Sequence, residues 1–457
     1  MPSTYFSTAF VRVPLAGSAT IENIDWEKLG QQVRQPEFLE ALYIASPALY
    51  DETIKLNLSQ EPDEKSKRIV YSLIKYLSRY ATRCTPFGLF GGFSTLPITN
   101  ANTEVCIAYI GAPRKVTRLD MNYLCALSQD LEKHPHVKPF LHFFPNTSLY
   151  SINGQYRYIE YRYNDTGMRM HHLSSAEQSE YLDSVLAQAK KGVMIGDLVN
   201  SLISDEISEE DAQEFVEQVI ESQLLVSELE PALTGDDFLV QIISVLQKIN
   251  AQQSSDELPF ILQILDEIKT SLNQIETSGE NYSIDKFTAI EQLLSQLPTP
   301  FDRKVLFQID SYLPETSGQL NRGLLNKLVS KIPTLMKLSP AGNPTLDDFR
   351  NKFYEKYEDE EVPFVLALDP EVGVGYPAGQ SKNDISPLVE GIWASGTSAG
   401  EQTIKIPQEH TYLLQKIAEA QLTGVSQIEI NEDDLRQNEP RRPYLPLTNT
   451  AMFSVIR

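Results

Sequence analysis

The sequence predicts an α+β protein of several domains, with mixed sheets and helices and an embedded winged-helix module for peptide recognition. Three observations carry this. The chain has 457 residues, enough for roughly two to four domains with cores of their own. Segments of β-branched and aromatic residues with period-2 alternation are interleaved with apolar residues spaced by three and four. A hairpin signal at Asn153-Gly154 runs into three short helical patterns, the composition of a winged helix.

Composition narrows the class. Hydrophobic content of 41% and charged content of 22% are ordinary for a globular chain. A net charge of −23 argues against a general nucleic-acid binder, which is usually basic. One stretch departs from that balance: Lys65, Lys67, Arg68, Lys75, Arg79 and Arg83 face only Asp63 and Glu64. Cys84, Cys106 and Cys125 suggest neither a disulfide framework nor a zinc site and fit a reducing cytoplasm. The histidines at 134, 136, 142, 171, 172 and 410 form no H-x-x-x-H cluster, so no metal is expected. The start, MPSTYFSTAFVRVPL, lacks a charged region and a long apolar core, so it is no signal peptide. No apolar run reaches the ~18 residues of a membrane span.

The first domain is expected over 1–146. Residues 4–15 alternate as a strand, with Arg12 between Val11 and Val13, exposed or paired. Residues 36–58 read as one or two helices around Leu39, Leu42 and Ile44. From Lys65 to Ser94 the run is KSKRIVYSLIKYLSRYATRCTPFGLFGGFS. Ile69, Leu73, Tyr76, Leu77 and Tyr80 give one apolar helix face, and Arg68, Lys75, Arg79 and Arg83 a second stripe. Pro86 ends this helix. Gly88, Gly91 and Gly92 among Phe87, Leu89, Phe90 and Phe93 mark a backbone that bends sharply or approaches something closely. Paired arginines, the Thr85 hydroxyl and a Gly-rich turn make an anion site. A strand over Val105–Ile110 follows, then TRLDMNYL, where Asp120 precedes a helical pattern and is explained by N-capping alone.

The second domain, 147–230, is the winged-helix module. TSLYSI and QYRYIEYRY flank Asn153-Gly154, and MRMHHL supplies a third strand after a turn at Asn164–Gly167. Ser174 with Glu177 reads as a capping box opening a helix to Lys191-Gly192. A second helix spans Ile195–Ile203, and a third after Ser208 turns Ala212, Phe215, Val219 and Ile220 inward. That third helix carries Glu209, Glu210, Asp211, Glu214, Glu217 and Glu221 and would repel DNA. Capture of a peptide by strand addition fits better, with Met170, His171, Phe215 and Val219 as contacts. Residues 231–300 are helical, clearest at Phe260, Ile261, Ile264, Leu265, Ile268, Leu272 and Ile275.

The last part, 301–457, reads as α/β and incomplete. VLFQIDSYL is a strand carrying Asp310, and NRGLLNKLVSKIPTLMKL and DDFRNKFYEKYED are helices. VPFVLALDPEVGVGYP is a buried strand followed by a turn, and TIKIP and QIEIN are strands around a helix at His410–Ala420. RRPYLPLTNTAMFSVIR ends strand-like, as if the functional unit continued on another chain. No Walker loop, G-x-G-x-x-G, G-x-S-x-G or H-E-x-x-H occurs.

The run SRYATRCTPFGLFGGFS resembles the R-x-x-x-R-x-TPFG-x-F-x-G segment of class I lanthipeptide dehydratases. The resemblance extends through the opening strand with Arg12, TRLDMNYL, the winged-helix region, FQIDSYL, FRNKFYEKYEDEEVPFVLALDPEVGVGYP and LPLTNTAMFSVIR. It implies the glutamylation half of the dehydration reaction. A glutamyl group moves from glutamyl-tRNA, a co-substrate, to Ser or Thr of a precursor peptide, with no cofactor; elimination of glutamate belongs to another domain. The resemblance maps functional positions onto Arg12, Arg79, Arg83, Thr85, Asp120 and Asp310. Arg79 and Arg83 then meet phosphate or carboxylate, Thr85 donates at short range, and Asp120 and Asp310 orient the arginines or the hydroxyl. Arg12, Arg68 and Lys75 serve tRNA or glutamate. The winged-helix region implies binding of the precursor's leader. The family's glutamylation domain is about twice this length, so the chain is expected to be a split subunit or a fragment working with a companion chain. A homodimer is left open. Two alternatives stand beside this: Arg79 and Arg83 pairing with Asp120 and Asp310 as a buried network that holds the turn, and a non-catalytic scaffold that delivers the leader.

Overall fold

The computed structural model describes residues 5–56, 64–85, 87–107, 113–163, 169–253, 257–277, 284–313, 316–336, 344–376, 408–430 and 452. In chain order the elements begin with β1 (Thr8–Pro14), α1 (Trp26–Gln32), α2 (Pro36–Ala45), α3 (Pro47–Lys55) and α4 (Glu64–Thr82). Next come β2 (Gly91–Thr99), β3 (Glu104–Ile107), β4 (Arg114–Leu119), α5 (Met121–Glu132) and β5 (Phe143–Pro145). The hairpin region gives β6 (Tyr150–Ile152), β7 (Gln155–Tyr163) and β8 (Arg169–Glu177). It is followed by α6 (Glu180–Gln188), α7 (Ile195–Leu202), α8 (Glu209–Glu221), β9 (Leu225–Ser227), α9 (Phe238–Asn250), α10 (Glu257–Thr277) and α11 (Ile284–Leu294). The chain continues with β10 (Phe307–Tyr312), β11 (Thr316–Asn321), α12 (Arg322–Met336), α13 (Pro344–Tyr357), α14 (Phe364–Leu368) and α15 (Gln408–Thr423). Mixed helices and several sheets make this α+β.

The chain divides into two units, one of residues 4–145 and 179–322, the other of 146–178 and 323–457. The expected 147–230 module is therefore shared: β6–β8 group with the second unit and α6–α8 with the first.

In the first unit a sheet is built around β2. Strand β1 lies antiparallel along one edge of β2, from Thr8↔Pro97 to Pro14↔Gly91. The other edge takes two parallel neighbours, β10 at Gly92–Phe93 and β11 at Ile98–Thr99. Strand β4 flanks β10 and β3 flanks β11, both antiparallel. Period-2 alternation makes one face apolar: Leu96, Ile98, Leu119 and Ile309 are all under a tenth exposed. That face is covered by the hydrophobic stripes of the nearby helices. In α4 the predicted stripe is buried at Leu73, Leu77 and Tyr80 and half-buried at Ile69 and Tyr76, while Val70 is buried in place of Ile69. The covered side also holds an ion pair, Lys115 Nζ within 2.7 and 2.6 Å of the two Glu40 oxygens. Their side chains are only 4% and 2% exposed, so each charge is tolerable only because of the other. Helices α6–α8 pack around buried Val185, Leu198, Val216 and Val219, with β5 and β9 paired beside them.

Several expectations are corrected. VPFVLALD is helical, not a strand: α14 covers Phe364–Leu368 after an extended Pro363. A short apolar run has no periodicity to separate the two states. Ser174 caps nothing, because β8 stays paired to β7 through Gln155↔Glu177. The cap of α6 is Ser179, whose hydroxyl accepts from the Leu182 amide at 3.2 Å. On α8 it is Val216, not the half-buried Phe215, that fills the inward position. Residues 427–430 form no strand. Pro86, TIKIP and the strand expected at the end, save Met452, lie outside the described residues.

In the second unit, the turn after α14 is clamped to the β6–β7 hairpin. Asp369, with a side chain 0% exposed, accepts from Arg157 Nη1 at 2.9 Å and from the Tyr150 hydroxyl. Its other oxygen accepts from the Glu371 and Val372 amides at 2.7 and 3.0 Å. Burial alone pushes the Asp369 carboxyl up, but the hydrogen bonds from Tyr150, the two amides and Arg157 outweigh it and hold it below the ordinary carboxylate value. A depressed folded value means the stabilisation is complete above the unfolded value of about 3.9 and is lost as pH falls through the folded one. Acid titration followed by hydrogen exchange of the β6–β7 amides is expected to show opening below about pH 4. Asp369→Asn is expected to loosen the hairpin at neutral pH and to flatten that acid slope.

Candidate active site

The face of the first unit's sheet that no described helix covers, called the uncovered face below, gathers most of the predicted residues. Residues opposite one another in a sheet share a face, and the row Arg12–Phe93–Tyr312–Arg114 crosses β1, β2, β10 and β4. The Phe93 and Tyr312 rings meet at 5.6 Å between centroids. Two residues back along β10 lies Asp310, paired in register with Val116. Arg12 is exposed and Asp310 half-exposed on this side, while Lys115 and Ser311, of opposite parity, point to the covered side.

The TPFG turn reaches this face through its glycines, which have separate tasks. Gly88 has φ +52, the left-handed region that only glycine adopts without strain. The Ser311 hydroxyl donates to its carbonyl at 3.0 Å. Gly92 faces the covered side, and a Cβ there would meet Leu15 and Leu313 at 3.1–3.2 Å. Gly91 belongs to the uncovered face, and its missing Cβ is decisive. A Cβ there would stand 2.8 Å from the Thr85 carbonyl oxygen and 3.3 Å from that of Arg83. The backbone from Arg83 to Thr85 therefore lies directly on β2. The parallel register of β10 puts Asp310 beside that position. Leu89 and Phe90, both under a tenth exposed, anchor the turn; the Phe90 ring contacts those of Tyr76 and Tyr80 at 5.8 Å each.

Helix α4 delivers the cations. Arg68, Lys75 and Arg79 are exposed opposite its buried stripe, and Arg83 follows its last turn, bonded by its amide to the Arg79 carbonyl at 3.0 Å. Positive charge at a helix C-terminus is favoured by the backbone dipole. Lys75 Nζ lies 4.3 Å above the exposed Tyr71 ring.

The two carboxylates have distinct settings. Asp120 caps α5: its side chain accepts from the Asn122 amide at 2.9 Å, and its own amide donates to Leu306 at 2.8 Å. Asp310 accepts from Arg118 Nη2 at 3.2 Å, and Arg118 Nε donates to Gln308 at 3.1 Å. The alternative network of Arg79 and Arg83 with these acids is not formed among the described residues; Arg118 holds Asp310 instead. Sequence reading passed over Arg118 and Gln308. The available signal was parity: Arg118 stands two before Asp120 and Gln308 two before Asp310, so both share the acids' face.

The residues expected to contact a leader belong to different units. Met170 and His171 are on β8, half-buried and exposed respectively. Val219, 4% exposed, belongs to the helical core. Within the first unit, a cavity of about 330 Å³ lies on the sheet's covered side, lined by Leu15, Phe38, Glu40, Tyr80, Lys115 and Leu313. It is thus separate from the Arg12–Asp310 face. Among the described residues no His, Cys, Asp and Glu group is arranged to hold a metal, and no helix is long and apolar enough to cross a membrane.

Comparison with known proteins bears on the family and the fold. Residues 34–456 match the family described as lantibiotic dehydratase, N terminus. The chain is 26% identical over 377 residues to the epidermin biosynthesis protein EpiB of Staphylococcus epidermidis, covering 81% of this chain and 36% of that protein. It is 25% identical over 368 residues to the nisin biosynthesis protein NisB of Lactococcus lactis subsp. lactis, covering 74% and 33%. The chain thus spans about a third of the length of these curated relatives. Its fold is similar to that of the tRNA-dependent lantibiotic dehydratase MibB from Microbispora sp. 107891, with a TM-score of 0.73 at 21% identity, over 96% of this chain and 40% of that one. The glutamylation domain TbtB from thiomuracin biosynthesis aligns with a TM-score of 0.51 at 14% identity, over 90% and 50%.

Gly91→Ala is expected to lower stability by about 1–3 kcal/mol in a urea melt, because the Thr85 carbonyl must move. Gly17→Ala, where a Cβ meets nothing within 4 Å, is expected to stay within about 0.5 kcal/mol of the parent.

Proposed function

The chain belongs to the lantibiotic dehydratase N-terminal family, and from that premise we propose that it supplies the tRNA-facing part of a glutamyl-transfer site. The transfer moves glutamate from glutamyl-tRNA to a Ser or Thr hydroxyl of a precursor peptide. The observation that carries the reading is the Arg83–Thr85 backbone seated on Gly91, above the sheet face that also holds Arg12 and Asp310.

The chemistry asks for what these residues offer. The hydroxyl oxygen attacks the ester carbonyl, the carbon–oxygen bond to the tRNA ribose breaks, and the ribose oxygen leaves with a proton. Developing oxyanion charge needs fixed donors, and phosphate and carboxylate suit the guanidinium fork better than an ammonium. Arg79, Arg83 and Arg12 fill these roles, Thr85 adds a short-range hydroxyl, and Arg68 and Lys75 extend the basic stripe along α4 toward the nucleic-acid backbone. Asp120, tied to its cap, orients the start of α5. No metal or cofactor is called for.

Leader capture is assigned to β8. No strand pairs along its second edge among the described residues, and an extended peptide can add there through backbone hydrogen bonds. Met170 and His171 flank that edge. Val219 acts only through packing.

Two measurements test the reading. The chain, supplied with the remaining sequence its relatives carry, is incubated with precursor peptide and glutamyl-tRNA, and the glutamate adduct is followed by mass. Arg83→Ala is expected to reduce adduct formation at least about 100-fold; an undiminished adduct refutes the catalytic assignment. In calorimetric titration of leader peptide, His171→Pro on β8 is expected to weaken binding about tenfold or more by removing a strand amide. Unchanged affinity removes β8 as the docking edge.

A further inference from the structure

We propose that Arg118 is an additional oxyanion-binding residue of this site, and that Gln308 and Asp310 are positioning residues that aim it. The inference rests on the glutamyl-tRNA reading above. It begins with register. The Asp120 amide bonds to Leu306 and Asp310 lies four residues further along β10, so the two acids are about 13 Å apart at ~3.3 Å per residue. Arg118 pairs with Gln308, halfway between them and on the same face.

The guanidinium is fixed rather than waving. Nε donates to Gln308 Oε1 at 3.1 Å and Nη2 to Asp310 Oδ2 at 3.2 Å. A guanidinium carries five N–H donors, so this uses one side of the fork and leaves its end, three N–H bonds on Nη1 and Nη2, for a ligand. The side chain is 42% exposed, open enough to be reached. An exposed ion pair of this kind contributes little to stability; a diagonal pair braced by a neutral amide serves orientation instead. The matching ligand is a planar or tetrahedral oxyanion taken end-on by both nitrogens. Glutamyl-tRNA offers two, a backbone phosphate and the carboxylate of its glutamyl group.

On this view Asp310 acts through Arg118, whereas on a hydroxyl-orienting role it would act directly. The variants differ accordingly. Arg118→Gln loses the fork and its charge, Arg118→Lys keeps charge without the fork, and Gln308→Leu leaves the charge but frees its orientation.

The experiment measures binding of the full chain to tRNA carrying glutamate through a non-hydrolysable amide link, and to the same tRNA uncharged, over a salt series. Arg118→Gln is expected to weaken binding about tenfold, Arg118→Lys to restore only part of it, and Gln308→Leu to fall between parent and Arg118→Gln, all with unchanged melting temperature. Loss confined to the charged tRNA assigns the glutamyl carboxylate. Equal loss with both, and a salt slope smaller by about one, assigns a phosphate. Variants that bind like the parent, or full rescue by lysine, overturn the proposal. Failure of the parent chain to bind either tRNA instead overturns the glutamyl-tRNA reading on which it rests.

Discussion

The approach of the Arg83–Thr85 backbone to the sheet depends on one missing side chain. Gly91 lets the Arg83–Thr85 backbone rest on β2, with the Thr85 carbonyl where any Cβ would be. From this follows the seat of one cationic position, Arg83, and one hydroxyl-bearing position, Thr85, on the strand that β10 joins in parallel at Gly92. Gly88 and Gly92 support the same arrangement, one by a left-handed bend and the other by close packing on the covered side. The glycines of the TPFG turn thus serve contact geometry more than flexibility.

The sheet separates two kinds of electrostatics. On its covered side Lys115 and Glu40 neutralise one another at hydrogen-bond distance with almost no water access. Such a pair costs desolvation and specifies packing rather than adding much stability. On the other side the pairs are more exposed: the Arg118 and Asp310 side chains are 42% and 46% exposed, and Arg114 pairs with Glu276. Alternation along β4 alone decides which side a charge serves: Lys115 faces the core, and Arg114 and Arg118 face outward. The overall charge of −23 means that these outward arginines stand on a chain that is acidic as a whole.

Much of this was legible in residue order, where periodicity was long or a turn residue had a unique reason. The α4 stripe, the Asn153-Gly154 hairpin, the Ser208 cap of α8 and the Asp120 cap of α5 were of this kind. Legibility failed where the signal was short or two-dimensional. Phe364–Leu368 offers five apolar residues with no period to choose helix over strand. Ser174 carried the right letters for a cap but lay in a strand whose partner was fixed by the hairpin. Arg118 meets Gln308 and Asp310 across 190 and 192 positions, and that relation exists only once β4 and β10 are in register. The Asp120 cap could be read from the helical pattern after it, whereas nothing local marked Asp310 as the partner of an arginine.

The Asp369 clamp has a consequence in time. Arg157 and Asp369 are 212 positions apart, and the whole second part of the first unit, residues 179–322, is encoded between the halves of the second. At a synthesis rate of about 5–20 residues per second, the hairpin waits roughly 10–40 s on the ribosome before its buried acid exists. During that wait β6–β8 have neither Asp369 nor Glu371 to neutralise Arg157, and β8, along whose second edge no strand pairs among the described residues, is open to other extended chains. The first unit can complete its sheet earlier, because β10 and β11 emerge before α13 and α14. The order of the elements thus gives this protein a built-in schedule, in which the first unit's sheet closes first and the β6–β7 hairpin is locked last.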